Sequence, residues 1–182
     1  MQQGETMMPK STGFIRVLAI ALGLLAFVPA TRATTLEVVQ IAATTLIQQN
    51  TNTTTNAAQV LDGLMTAGNG NYFASVQFPV DDVRVCKFTL VHHDNDSQFN
   101  ITAHLMKKPV ALGGVNAFSS PVTMATVTTS GASNNELAAS TTAITQPEVQ
   151  LAKGFFYVQV TLPATTLEVI GLQVYYTTHK KC

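Results

Sequence analysis

The densest group of reactive side chains is His92-His93-Asp94-Asn95-Asp96. Two imidazoles beside two carboxylates are donor types that hold divalent metals, with His92, Asp94 and Asp96 as candidate ligands and His104 as a further donor. The spacing works against such a site. Adjacent histidines in a strand point to opposite faces, so His92 and His93 do not share one ion easily. A calcium loop continues with further oxygen ligands and a glycine, whereas Gln98-Phe99 follow here. Asp and Asn side chains also cap their own backbone in turns, and the expectation is a solvated hairpin tip with no metal.

Other catalytic constellations are no stronger. Gly-x-Ser-x-Gly does not occur, and the lone Ser130-Gly131 sits in a Ser/Thr-rich stretch. His179 stands near the C-terminal cysteine and reads as solvated. Paired carboxylates for glycoside hydrolysis would have to come from Asp62, Asp81, Asp82, Asp94, Asp96, Glu136, Glu148 or Glu168, and Asp81-Asp82 reads better as a turn. A hydrolase of unknown substrate is the third reading, and no catalytic residue is assigned. Trp is absent, so a sugar platform would rest on Tyr72, Tyr157, Tyr175 or Tyr176. Tyr175 and Tyr176 present one ring to each face of a strand, leaving one of them for the core.

The elements that carry these residues begin with an export leader. Lys10 and Arg16 are the positive flank, Val17 to Val28 is an uncharged apolar run, and small residues lead to Ala33. The run is shorter than the ~20 residues that span a bilayer. Cleavage is expected after Ala33, with Ala30 as the second choice, and no lipid-bearing Cys stands there. Residues 1–33 are read as signal peptide, 34–71 as a partly flexible N-terminal segment and 72–182 as a β-sandwich core. The expected location is secreted, periplasmic or extracellular, with no membrane contact after cleavage.

Without the leader, seven basic and nine acidic residues remain, a net charge near −2. That balance gives no field for nucleic acid, and Lys107-Lys108 and Lys180-Lys181 are too few for a nucleic-acid patch. Thr, Ser, Asn and Gln must supply the surface polarity, which suits a protein that packs against its own copies. Cys86 and Cys182 are the two cysteines, and in an oxidising compartment they read as one disulfide. Closing a loop of about 100 residues is worth a nominal ~4.7 kcal/mol. Asn52, Asn95 and Asn100 each begin an Asn-x-Ser/Thr triplet.

From Tyr72 onward the period is two. Strands are expected over 72–78, 83–91, 99–107, 121–129, 155–162 and 167–176, with a bulge or close approach at Gly171. Asp94-Asn95-Asp96-Ser97 reads as the turn of a hairpin joining 83–91 to 99–107. Residues 155–162 and 167–176 should pair or face each other across a sandwich. The stretch 130–146 reads as a loop with at most one short strand. Gln48 to Asn56 is a polar linker, and Ala57 to Met65 fits one or two helical turns capped by Asn56. The fold expected is all-β, an antiparallel β-sandwich with a possible jelly roll and one disulfide.

The segments Phe73 to Pro79, Val83 to Phe88, the Asp94–Ser97 turn, Asn100 to Leu105, Ser130-Gly131-Ala132, Phe156-Tyr157-Val158 and Val169 to Leu172 together resemble small exported β-sandwich proteins of environmental bacteria. The resemblance covers about residues 72–176 and rests on strand rhythm. It implies a fold and an export route and transfers no functional residue. The functional expectation is a non-catalytic protein that acts in surface recognition or as a self-associating structural subunit. A glycan- or calcium-binding module is the alternative. No cofactor is expected. Partners are a homo-oligomer, a glycan or a protein ligand.

Overall fold

The computed structural model describes residues 35–49, 59–61, 64–66, 70–110, 119–133 and 135–182. The leader, its candidate cleavage sites, most of the 48–56 tract, Asp62 and Gly113-Gly114 lie outside them. The described strands are β1 (Glu37–Ala42), β2 (Ile47–Gln48), β3 (Gln59–Leu61), β4 (Leu64–Thr66), β5 (Gly70–Val76), β6 (Val83–Asp94), β7 (Thr102–Pro109), β8 (Val122–Thr128), β9 (Glu136–Thr141), β10 (Glu148–Val149), β11 (Gly154–Leu162) and β12 (Leu167–Thr177).

All pairings are antiparallel, in two sheets. Sheet A has seven strands: β6 and β12 lie side by side at its centre. The outer edge of β6 carries β9 and β10, and that of β12 carries β1 and β4, with β3 beyond β4. Sheet B has five strands in the order β2-β5-β11-β7-β8. The sheets stack through one core, so the chain is an antiparallel β-sandwich.

Alternation explains the stacking. In β11, Phe156, Val158, Val160 and Leu162 are buried, while the residues between them are exposed or half-buried. Sheet B adds Tyr72, Ala74, Val76, Ala103 and Leu105. Sheet A answers with Val83, Val85, Phe88 and Leu90 from β6 and Leu167, Val169, Leu172, Val174 and Tyr176 from β12. Each such side chain contributes about 1.5–3 kcal/mol on leaving water. Phe78 bridges the layers, its ring edge-on to Phe156 and to Tyr176, each at 5.6 Å.

Two bulges shape the central pair. The register skips Ile170 between Val169 and Gly171, and a Cβ on Gly171 would stand 3.0 Å from the Ile41 carbonyl oxygen. Both readings of Gly171 therefore hold: a bulge and a close backbone approach by β1. The second bulge sets Lys87 opposite Tyr175 and Val85 opposite Tyr176, leaving Cys86 unpaired. Val85 and Cys86 are then both buried in succession, and Cys86 reaches the chain end to form the Cys86–Cys182 disulfide, with the Cα atoms 5.5 Å apart.

Two expectations are corrected. Gln59–Leu61 and Leu64–Thr66 are paired strands, not helical turns; the short apolar run is claimed by the free edge of β12. Residues 83–91 and 99–107 are not a hairpin either. β12 occupies one edge of β6 and β9 and β10 the other, so β7 crosses to sheet B and pairs with β11 and β8. The connection from Asp94 to Ile101 is a corner between layers.

Reducing the disulfide of the native protein removes a loop closure across a separation of 96 residues. A loss of roughly 4 kcal/mol is expected, read as a fall in the urea midpoint with and without reductant. A change below about 1 kcal/mol would show that the bond contributes little to stability.

Candidate functional site

The sequence cluster lies at the corner, and its members separate. β6 runs through His92, His93 and Asp94, so the turn starts only at Asn95. His92 and Asp94 point inward and are buried, and His93 lies on the outer face of sheet A. There it sits between Glu136 and Glu168 across the strands, with its Nδ1 3.3 Å from Glu168 Oε2. His104 is on the other layer, with its Nδ1 2.9 Å from Thr126 Oγ1.

The corner carboxylates are already occupied. Asp94 is fully buried and accepts the Thr129 hydroxyl on one oxygen and the Asp96 amide, at 3.1 Å, on the other. Thr129 Oγ1 in turn accepts the Ile101 amide at 2.9 Å, and the Asp94 carbonyl accepts the Ser133 amide at 2.6 Å. Asp96 accepts the amides of Gln98 (2.8 Å) and Phe99 (3.0 Å) and the Thr166 hydroxyl (2.9 Å). Those bonds hold its carboxyl below the usual range, the Gln98 amide first and then Thr166 and Phe99. The network ties the corner to the loops after β8 and β11. Among the described residues, no three His, Cys, Asp or Glu side chains are grouped to hold a metal ion.

His179 lines an open groove of about 650 Å³ with Asp82, Arg84, Glu148 and Lys180. Arg84 holds Glu148 in an ion pair. No hydrogen bond joins the His179 ring to a carboxylate among the described residues.

The outer face of sheet B has a different character. One row across its strands reads Ile47, Phe73, Gln159, His104 and Thr126, and the next reads Ser75, Tyr157 and Met106. Phe155 follows two residues before Tyr157 on β11. Ile47 is 74 % exposed and Phe155 70 % exposed, the two most exposed large apolar side chains among the described residues. Phe73 and Tyr157 are half-buried, with ring centroids 6.1 Å apart and planes tilted by 44°. Gln159 and Ser75 make no side-chain hydrogen bond within the described residues. Beyond Phe155 an open groove of about 360 Å³ is lined by Ser75, Gln77, Phe78, Leu151 and Phe155. No carboxylate stands in these rows, and Lys108 alone brings a full charge to their end.

The tyrosines divide as strand parity demands. Tyr72 and Tyr176 are core. Burial and the neighbouring Glu37 carboxylate, 2.5 Å from the Tyr176 hydroxyl, push that hydroxyl up to about 12. Tyr175 lies outward on sheet A under Lys87 Nζ, 5.2 Å from the ring centroid. Tyr157 alone stands on the sheet B face. Sequence reasoning missed Phe73, Phe155 and Ile47 as surface groups.

No family model and no curated protein matches the chain. Among solved structures it is similar to the CBM36-1 domain of a multidomain xylanase from the hindgut metagenome of Trinervitermes trinervoides. The identity is 12 %, the match covers 77 % of this chain and 96 % of that one, and the TM-score is 0.40. No helix among the described residues is long and apolar enough to cross a membrane.

Burial holds His92 below the ordinary imidazole range; Asp94 opposes that shift and His93 adds to it. Its Nδ1 has no hydrogen-bond partner among the described residues. Burial lowers His104 as well. The unfolded chain therefore takes up these protons more readily than the folded one. Their contribution to stability is present above about pH 6.5 and is lost as pH falls below it. The melting midpoint should drop between pH 7.5 and 5.5, and His92→Leu should remove about half of that drop. An unchanged slope in the variant, or a wild type more stable at pH 5.5, contradicts the assignment.

Proposed function

We propose that this is an exported, non-catalytic recognition module that holds a neutral glycan chain on the outer face of sheet B. The observation that carries the reading is the composition of that face. Exposed or half-buried rings (Phe73, Phe155, Tyr157) alternate with amide, hydroxyl and imidazole groups (Gln159, Ser75, Thr126, His104), and carboxylates are absent. A pyranose ring has the complementary surface, with C–H groups on its faces and hydroxyls around its rim. Aromatic planes cover the former, and groups that both donate and accept satisfy the latter.

Size favours the same occupant over a second copy of the chain. Four strands of seven to nine residues, with the two-residue β2 at the edge, make a face of roughly 20 by 20 Å, on the order of 400 Å². A stable protein interface buries about 800 Å² on each partner. A saccharide of a few units fills the smaller area. The disulfide between Cys86 and Cys182 supports an oxidising destination, in keeping with the leader read from the sequence.

Covering about 60 Å² of one ring is worth about 1.5 kcal/mol, or roughly tenfold in affinity. Calorimetric titration with neutral gluco-, xylo- and manno-oligosaccharides should therefore detect binding that falls about tenfold in Tyr157→Ala and in Phe73→Ala. Tyr175→Ala, on the opposite layer, should leave it unchanged. Binding of none of the panel would overturn the reading, as would loss of affinity in Tyr175→Ala alone. Concentration-dependent dimers that persist in high salt and vanish in Phe155→Ala would give the face to a second copy.

A further inference from the structure

The described cations of the sandwich gather at one end, while its described carboxylates divide between both. The corner half is the end of β6 at Asp94, the start of β12 at Leu167 and the start of β9 at Glu136. It carries Asp94, Asp96, Glu136 and Glu168, and no Lys or Arg among the described residues. The disulfide half carries every described Lys and Arg: Arg84, Lys87, Lys107, Lys108, Lys153, Lys180 and Lys181. Against them stand Glu37, Asp81, Asp82 and Glu148. The internal segments outside the described residues add a single charge, Asp62, and no cation.

Distance lets each end act separately. The twelve residues of β6 separate the ends by roughly 35 Å at about 3.3 Å per residue. That is more than three Debye lengths at 0.1 M salt. The negative end therefore does not screen the positive one within a molecule, but it does attract the positive end of another. Accessibility is complementary too. The disulfide fixes His179, Lys180 and Lys181 as an exposed tail beside Arg84 and Lys87. At the other end Glu136 is exposed, and Asp96 is kept ionised by its internal hydrogen bonds.

We infer that copies of this chain associate head to tail, the Lys180-Lys181 tail of one docking on the Glu136, Glu168 and Asp96 end of the next. The contact joins two different surfaces, so it does not close at a dimer and continues into an open chain of subunits. It is weak, as exposed ion pairs are, and depends on salt. It uses neither the inner core nor the outer face of sheet B, so glycan binding and association stand or fall separately.

Sedimentation velocity on the natively produced protein at pH 7.5 tests it. In about 20 mM salt the average mass should rise with concentration past two chains, and by about 500 mM it should return to one, as the Debye length shrinks below about 5 Å. Lys180→Glu with Lys181→Glu should lower the association at least tenfold, and Glu136→Lys should do the same. Mixing those two variants should restore association, since the native tail of one meets the native acidic end of the other. A single chain at every salt concentration would overturn the inference. So would a plateau at two, association that 500 mM salt leaves intact, or a mixture that stays monomeric. The wild-type salt series decides the matter should a variant fail to fold.

Discussion

Both the core and the outer face of sheet B depend on the parity of β11. This strand is the centre of sheet B, hydrogen-bonded to β5 on one side and β7 on the other. Its even residues from Phe156 to Leu162 close the core, and its odd residues from Phe155 to Thr161 form the middle of the outer face. A slip of one residue would expose Phe156, Val158, Val160 and Leu162 and bury Gln159 and Thr161 without partners. Each lost apolar side chain costs about 1.5–3 kcal/mol, so the register is strongly specified. Rings on a sheet held this firmly have little freedom left to lose on any contact.

The corner supplies the second constraint. Burying the Asp94 carboxylate is tolerable only because Thr129 and the Asp96 amide satisfy it. In return it anchors the crossing from sheet A to sheet B and the loop after β8. Two of the carboxylates that suggested a metal site, Asp94 and Asp96, thus hold the corner together. Their neighbours across the strands, exposed Glu136 and half-buried Glu168 with His93 between them, add to the negative sign of this end.

Strand positions were legible because β-branched and aromatic runs ended at Pro and Gly: Phe155 to Leu162 stops at Pro163, and Leu167 to Tyr176 is interrupted at Gly171. The disulfide was legible because Cys86 and Cys182 have no other cysteine to join. Layer assignment was not. Local alternation says that Val83 to Val91 and Ile101 to Lys107 each bury one face, but pairing depends on which edges distant strands fill, and β9 and β12 had already filled both edges of β6. Phe155-Phe156-Tyr157-Val158 is apolar at both parities, so composition alone did not show which rings face out. The Ala57 to Met65 misreading has the same origin: a short apolar run without a period takes the conformation of the edge it meets.

The central claim is that the outer face of sheet B is the contact surface. Titrating isotope-labelled protein with a neutral oligosaccharide while following its NMR spectrum reads that surface directly. The account predicts that the shifting signals belong to Ile47, Phe73, Phe155, Tyr157 and Gln159, with Gln40, Gly171 and Tyr175 on the opposite layer unmoved. Shifts centred on sheet A, or none at all at about 10 mM saccharide, where even Kd values near 1 mM give about 90 % occupancy, would contradict it.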